Sequence, residues 1–167
     1  VAIDTDGVPH IDYYDSTDDD LKHAWGIWDL DATQWIWAVE IVDPIGNVGQ
    51  HTSIAVDAEG SLHIAYYSTA NGGILKHAYG TWNPVAEQWN WSSPTVVVDP
   101  TAGPAGQYAS LALDSAGQPH IAYNHGGVDF LEHAWGTWDS MSGEWQWDTE
   151  EVDSMGTSGG HTSLAIG

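Results

Sequence analysis

Tryptophan, histidine and aspartate are the residues of this sequence with chemistry to offer. Of 11 Trp, six form pairs two residues apart: Trp35 and Trp37, Trp89 and Trp91, Trp145 and Trp147. Alternation along an extended chain puts both members of a pair on one face of a strand. Trp28, Trp82 and Trp138 lie across an intervening loop and reach those pairs as cross-strand partners. Indole rings grouped in this way can form an aromatic clasp, worth about 0.5–1.5 kcal/mol per pair beyond area burial. They can also form a shelf on which the apolar face of a pyranose ring stacks. Exposed indole is costly unless it binds something, so these nine Trp are the candidate ligand-binding residues.

Of nine His, six occupy two recurring places: His10, His63 and His120, then His23, His77 and His133. Imidazoles that recur in every copy of a repeat meet equivalent surfaces, which favours packing and hydrogen bonding over convergence on one ion. His51 and His161 share a third place with Tyr108, and an imidazole that exchanges with a phenol fits a hydrogen-bonding role better than ligation. The aspartates offer a different chemistry. Asp15, Asp18, Asp19 and Asp20 crowd one loop, and neighbouring carboxylates repel unless water, salt or a cation intervenes. Ca²⁺, which accepts six to eight oxygens at flexible geometry, is the cation these candidate ligands would hold. Their spacing is not that of an EF-hand and lacks its Gly and distal Glu, and a solvated acidic loop is the favoured reading.

Catalysis is disfavoured. The chain has two Lys, no Arg and no Cys, so neither the planar guanidinium fork that grips a substrate carboxylate nor a thiol nucleophile is present. No Gly-x-Ser-x-Gly elbow occurs and no carboxylate pair is marked out by its surroundings. A net charge of −22 would repel nucleic acid and anionic lipid alike. No apolar run reaches the roughly 20 residues of a spanning helix, so membrane insertion is not expected.

The elements that must position these groups come in repeats. The phrase Val1-Ala2-Ile3-Asp4 returns at Ile54–Asp57, Leu111–Asp114 and Leu164–Gly167. After it come a Gly turn, a His, a Tyr two apolar steps on, a Leu-Lys/Glu-His-Ala block and the Trp pair. In the second copy, residues 51–57, 62–67, 74–82 and 89–98 read as four short strands separated by turn residues, and no helical period extends over 11 or more residues. The fold class is all-β, predicted as three consecutive four-stranded antiparallel blades of a β-propeller. The repeats run 1–53, 54–110 and 111–163, with 164–167 as the first strand of a further repeat.

The Asp-x-x-Gly turn followed by His-Ile-x-Tyr resembles bacterial β-propeller repeat proteins and, more loosely, the Asp-box blades of sialidases and propeller lectins. Ser53 stands four residues before Asp57 rather than two, and His63 replaces the terminal aromatic of the Asp-box pattern. The resemblance implies a propeller, while the absent Arg argues against sialidase activity.

Together these readings predict a non-catalytic binding or scaffold module, extracellular or at the cell surface, whose partner is a glycan or surface polymer. The alternative is a structural subunit of a larger ring or filament, partnered by other copies of itself or by further blades. Three blades leave two open faces, which predicts that this piece alone does not persist as an isolated monomer.

Overall fold

The computed structural model describes residues 1–97, 103–127, 129–156 and 158–166. Three antiparallel sheets follow one another along the chain. The first holds β1 (Ala2–Ile3), β2 (Pro9–Asp15), β3 (Asp20–Asp29) and β4 (Gln34–Asp43). The second holds β5 (Val48–Val56), β6 (Leu62–Ser68), β7 (Ile74–Asn83), β8 (Gln88–Trp91) and β9 (Thr95–Val96), with a single 3₁₀ turn at Ala70–Gly72. The third holds β10 (Ala105–Leu113), β11 (Pro119–His125), β12 (Phe130–Asp139) and β13 (Glu144–Asp153). No α-helix occurs among the described residues, and none is long and apolar enough to cross a membrane.

The expected fourth strand of the second copy, 89–98, is interrupted. β8 and β9 both pair with β7, and the gap between them carries Pro94, which has no N–H to give to the ladder. Val98 lies outside the described residues. At the other end Leu164–Ile166 form no strand, and Gly167 lies outside the described residues. The repeat boundaries at 53/54 and 110/111 fall inside β5 and β10; they mark the phase of the sequence rather than sheet edges.

Local chemistry makes the turns. Asp4, Asp57 and Asp114 each accept two backbone N–H bonds on Oδ1, from residues two and four ahead, at 2.7–3.0 Å. The Gly that follows three residues on takes a positive φ, which a residue with a Cβ adopts only with strain.

Apolar cores fill the two sheet-to-sheet spaces. Leu21, Val48, Ile54, Ile64 and Tyr66 are buried in the first, and Leu75, Ala105, Leu111, Ile121 and Tyr123 in the second. Polar hooks join the same surfaces: Ser53 Oγ accepts from Leu111 N at 3.0 Å, and Ser110 Oγ accepts from Leu164 N at 2.9 Å. The Ser of each repeat is thus a fastener to the next segment. Asp43 is buried at 1 % exposure between sheets one and two, where it accepts from Tyr66 Oη at 2.7 Å and pairs with Lys76.

Candidate functional site

The recurring His sit side by side within each sheet. Nδ1 and Nε2 are 3.0 Å apart in His10–His23, 3.1 Å in His63–His77 and 2.9 Å in His120–His133. Trp89 of sheet two sets its edge on His10 and His23 at 5.4 and 5.7 Å, and Trp145 of sheet three does the same to His63 and His77 at 5.3 and 5.9 Å. Burial, and secondarily His23, holds His10 below its ordinary pKa. Burial, with His63 beside it, holds His77 well below. The folded state therefore binds fewer protons than the unfolded chain, and stability is lost as pH falls through about 6.5. Urea midpoints measured across that range should drop on the acid side, and His77→Gln should flatten the drop. An unchanged slope in the variant would remove His77 from the account.

Between sheets one and two opens a cleft of about 760 Å³. Its lining includes Trp25 and His10 from sheet one, Trp82 and Trp89 from sheet two, the Asp4–Val8 turn, and Glu59, Gly60 and Glu87, with Trp28 and Trp35 at the rim. The ring centroids of Trp25 and Trp82 stand 6.2 Å apart, and those of Trp82 and Trp89 5.5 Å apart. Trp82 keeps 42 % of its surface exposed while Trp89 keeps 8 %. The indole N–H of Trp89 is buried and finds no acceptor in the protein. An unmet buried donor costs about 1–3 kcal/mol. The space between sheets two and three repeats the motif, with Tyr79 in place of Trp25, Trp138 and Trp145 at 5.4 Å, and the Trp145 N–H again buried without an acceptor.

The nine predicted Trp divide by role. Trp28, Trp35, Trp82 and Trp89 line the cleft or its rim, and Trp138 and Trp145 form the equivalent group one sheet on. Trp91 and Trp147 act as clasps: Trp91 Nε1 donates to Glu40 Oε1 at 2.9 Å, and Trp147 Nε1 to Thr95 Oγ1 at 3.3 Å, in each case on the preceding sheet. Trp37, at the matching place in sheet one, stays 43 % exposed. Room for flat indoles comes from a Gly on each third strand; a Cβ at Gly26 would lie 2.7 Å from Trp35, and one at Gly80 2.7 Å from Trp91. Trp25, Glu59 and Glu87 also line the cleft and lie outside the Trp pairs and their cross-strand partners. Trp25 is legible in the sequence, because it stands two residues beyond His23 on the same strand face as the His pair.

The acidic loop finds partners within the chain. Asp15 pairs with Lys22 and accepts Thr17 N, and Asp18 reaches the same Lys22 at 3.6 Å. Asp19 turns to Tyr14 and to Asn47 Nδ2 at 2.9 Å, while Asp20 is buried at the start of β3. Asp15 and Asp18 share Lys22 while Asp19 turns away from them, and no group of three or more metal-ligating side chains is gathered among the described residues. Lys22 supplies one positive charge to the cluster. Ca²⁺ should accordingly raise the melting temperature no more than NaCl at matched ionic strength; a clearly larger Ca²⁺ shift would restore a specific site.

No protein-family model matches the chain, and no curated protein matches it. Among solved structures the chain is similar to a fucose lectin from Kordia zhangzhouensis in complex with methyl-fucoside. The similarity is 20 % identity over 87 % of this chain and 94 % of that chain, with a TM-score of 0.41.

Proposed function

We propose that the protein is a non-catalytic glycan-binding module of β-propeller type, acting outside the cell or at its surface, whose sugar sites are the clefts between successive sheets. The observation that carries this reading is a cleft walled by the indoles of Trp25, Trp82 and Trp89, with Trp82 left 42 % exposed. Pyranose rings present what that cleft lacks: an apolar face for the indoles and hydroxyls for the carboxylates. Carboxylates around the rim accept from further hydroxyls. Trp82→Ala removes an exposed wall without opening the core, so it should weaken binding of a glycan by tenfold or more, about 1.4 kcal/mol, while moving the melting temperature by only a few degrees. Calorimetric titration against a glycan panel and a thermal melt check the two halves. A loss of fold without a selective loss of binding would reduce the Trp group to packing.

A second reading, a structural subunit that adds sheet to sheet, draws on the outer face of sheet one. There Trp37, Val39 and Ile41 are all 43 % or more exposed, at places matching those by which the second and third sheets pack on their predecessors. Assembly in the absence of any glycan, seen by light scattering after size exclusion, would favour it.

A further inference from the structure

We propose that the cleft between sheets one and two takes amine-bearing sugars, such as glucosamine units of a polymer, in preference to neutral ones, and rejects carboxylated or sulfated ones. This inference rests on the glycan reading above and adds the charge class of the ligand. The lining contains Asp4, Asp6, Glu59 and Glu87 and no Lys. The chain's two lysines, its whole supply of permanent cations, are bound elsewhere: Lys22 to Asp15, and Lys76 to buried Asp43. His10, which also lines the cleft, is held below its ordinary pKa by burial and by His23, so it offers no compensating positive charge near neutrality. Glu59 and Glu87 are exposed and free to turn toward a bound ligand from sheet two.

An ammonium group in this space gains twice. Carboxylates attract it, and indole faces attract cations by their quadrupole, about 0.5–1 kcal/mol at exposed sites and more when desolvated. An anionic sugar meets only repulsion, with no guanidinium or ammonium to receive it. The indole walls of Trp25 and Trp82 separate this site from a plain acidic patch, because they call for an apolar ring face on the same ligand that carries the cation. A hydroxylated amino sugar has both.

The test compares a glucosamine oligomer, its N-acetylated counterpart and a galacturonic acid oligomer of equal length by calorimetry, below the pKa of the sugar amine. The amine form should bind roughly tenfold more tightly than the N-acetylated form, the sum of a cation–π contact and a partly screened ion pair. The preference should shrink with added salt, and the acidic oligomer should not bind. Joint Glu59→Gln and Glu87→Gln should reduce the preference at least twofold, to the part carried by the indole faces and the Asp4–Val8 turn, while leaving affinity for the N-acetylated oligomer, and Glu151→Gln, outside the cleft, should leave both unchanged. Equal affinity for amine and N-acetylated forms would overturn the charge preference and leave glycan binding intact, as would tight binding of the acidic oligomer. Failure of all three oligomers to bind would sink the glycan reading itself. A linear polyamine without sugar rings that binds as tightly, with the same dependence on Glu59 and Glu87, would overturn the proposal in favour of a simple cation patch.

Discussion

Replacing Lys76 with Met should cost about 3–5 kcal/mol of stability, the usual result of stripping one partner from a buried ion pair. Asp43, the partner left behind, belongs to the last position of β4 in sheet one, whereas Lys76 stands on β7 and Tyr66 on β6 of sheet two. With Asp43 almost wholly buried, two neutral hydrogen bonds, from the Tyr66 phenol and the Ile45 backbone N–H, would be left to hold a carboxylate removed from water. The loss would fall on the joint between the sheets, so denaturant curves should show a lower midpoint, with sheets one and two separating more readily. The double variant Asp43→Leu with Lys76→Met should recover much of the loss, because a buried pair replaced by apolar groups of similar size is often neutral. A single-variant cost below about 1 kcal/mol, the range of exposed pairs, would mean that water reaches Asp43.

Gly106→Ala should be comparably damaging, for reasons of backbone and space. Gly106 lies in β10 at φ 104°, where a side chain is strained by about 1–3 kcal/mol. A Cβ built there would stand 2.7 Å from both Cα and Cβ of Leu75 on the neighbouring sheet. Backbone cannot retreat as a flexible side chain can, so overpacking adds about 1–3 kcal/mol more. Gly49, at φ 99° and 2.9 Å from Leu21 Cα, is its counterpart one sheet earlier and should behave alike. Gly7→Ala is the control: φ is 81°, yet nothing lies within 4 Å of the added carbon, so only the left-handed penalty of about 1–2 kcal/mol applies. Urea denaturation of the three variants should rank Gly106 and Gly49 well below Gly7. Equal costs would show that the sheets are less closely apposed than this structure has them.

What could be read from the sequence was whatever each repeat settles within itself. Strand order, the Asp-anchored turns, the in-sheet His pairs and the parity of the Trp pairs all follow from contacts among residues fewer than about 40 apart, and alternation exposes them. Which Trp becomes a cleft wall and which a clasp depends on the sheet next door. Trp91 finds its acceptor in Glu40, a residue of the previous copy, and nothing in the spacing of the Trp pair distinguishes it from Trp89. The partners of the acidic loop are hidden from the sequence for the same reason. Like-charge crowding is visible in Asp15 to Asp20, but the relief comes from Lys22 on the following strand and from Asn47, which lies close to Asp19 only once sheet two has packed. The break at Pro94 was legible in principle, since a proline inside a run demotes the strand. Glu59 and Glu87 matter only through their place at the cleft mouth, which no pattern of exposed carboxylates announces.

If the indole cleft between sheets one and two is a sugar site, its indole N–H signals report the sugar. In a nitrogen-resolved NMR titration with amine-bearing and N-acetylated glucosamine oligomers, the Nε1–H signals of Trp25 and Trp82, whose rings wall the cleft, should shift saturably. Trp91, bonded to Glu40, should stay in place. Trp82→Ala should move the Trp25 response to about tenfold higher sugar concentration while the remaining spectrum stays dispersed. Absence of any Trp25 or Trp82 shift at saturating sugar, or a response confined to the exposed Trp37, would contradict sugar binding in the cleft.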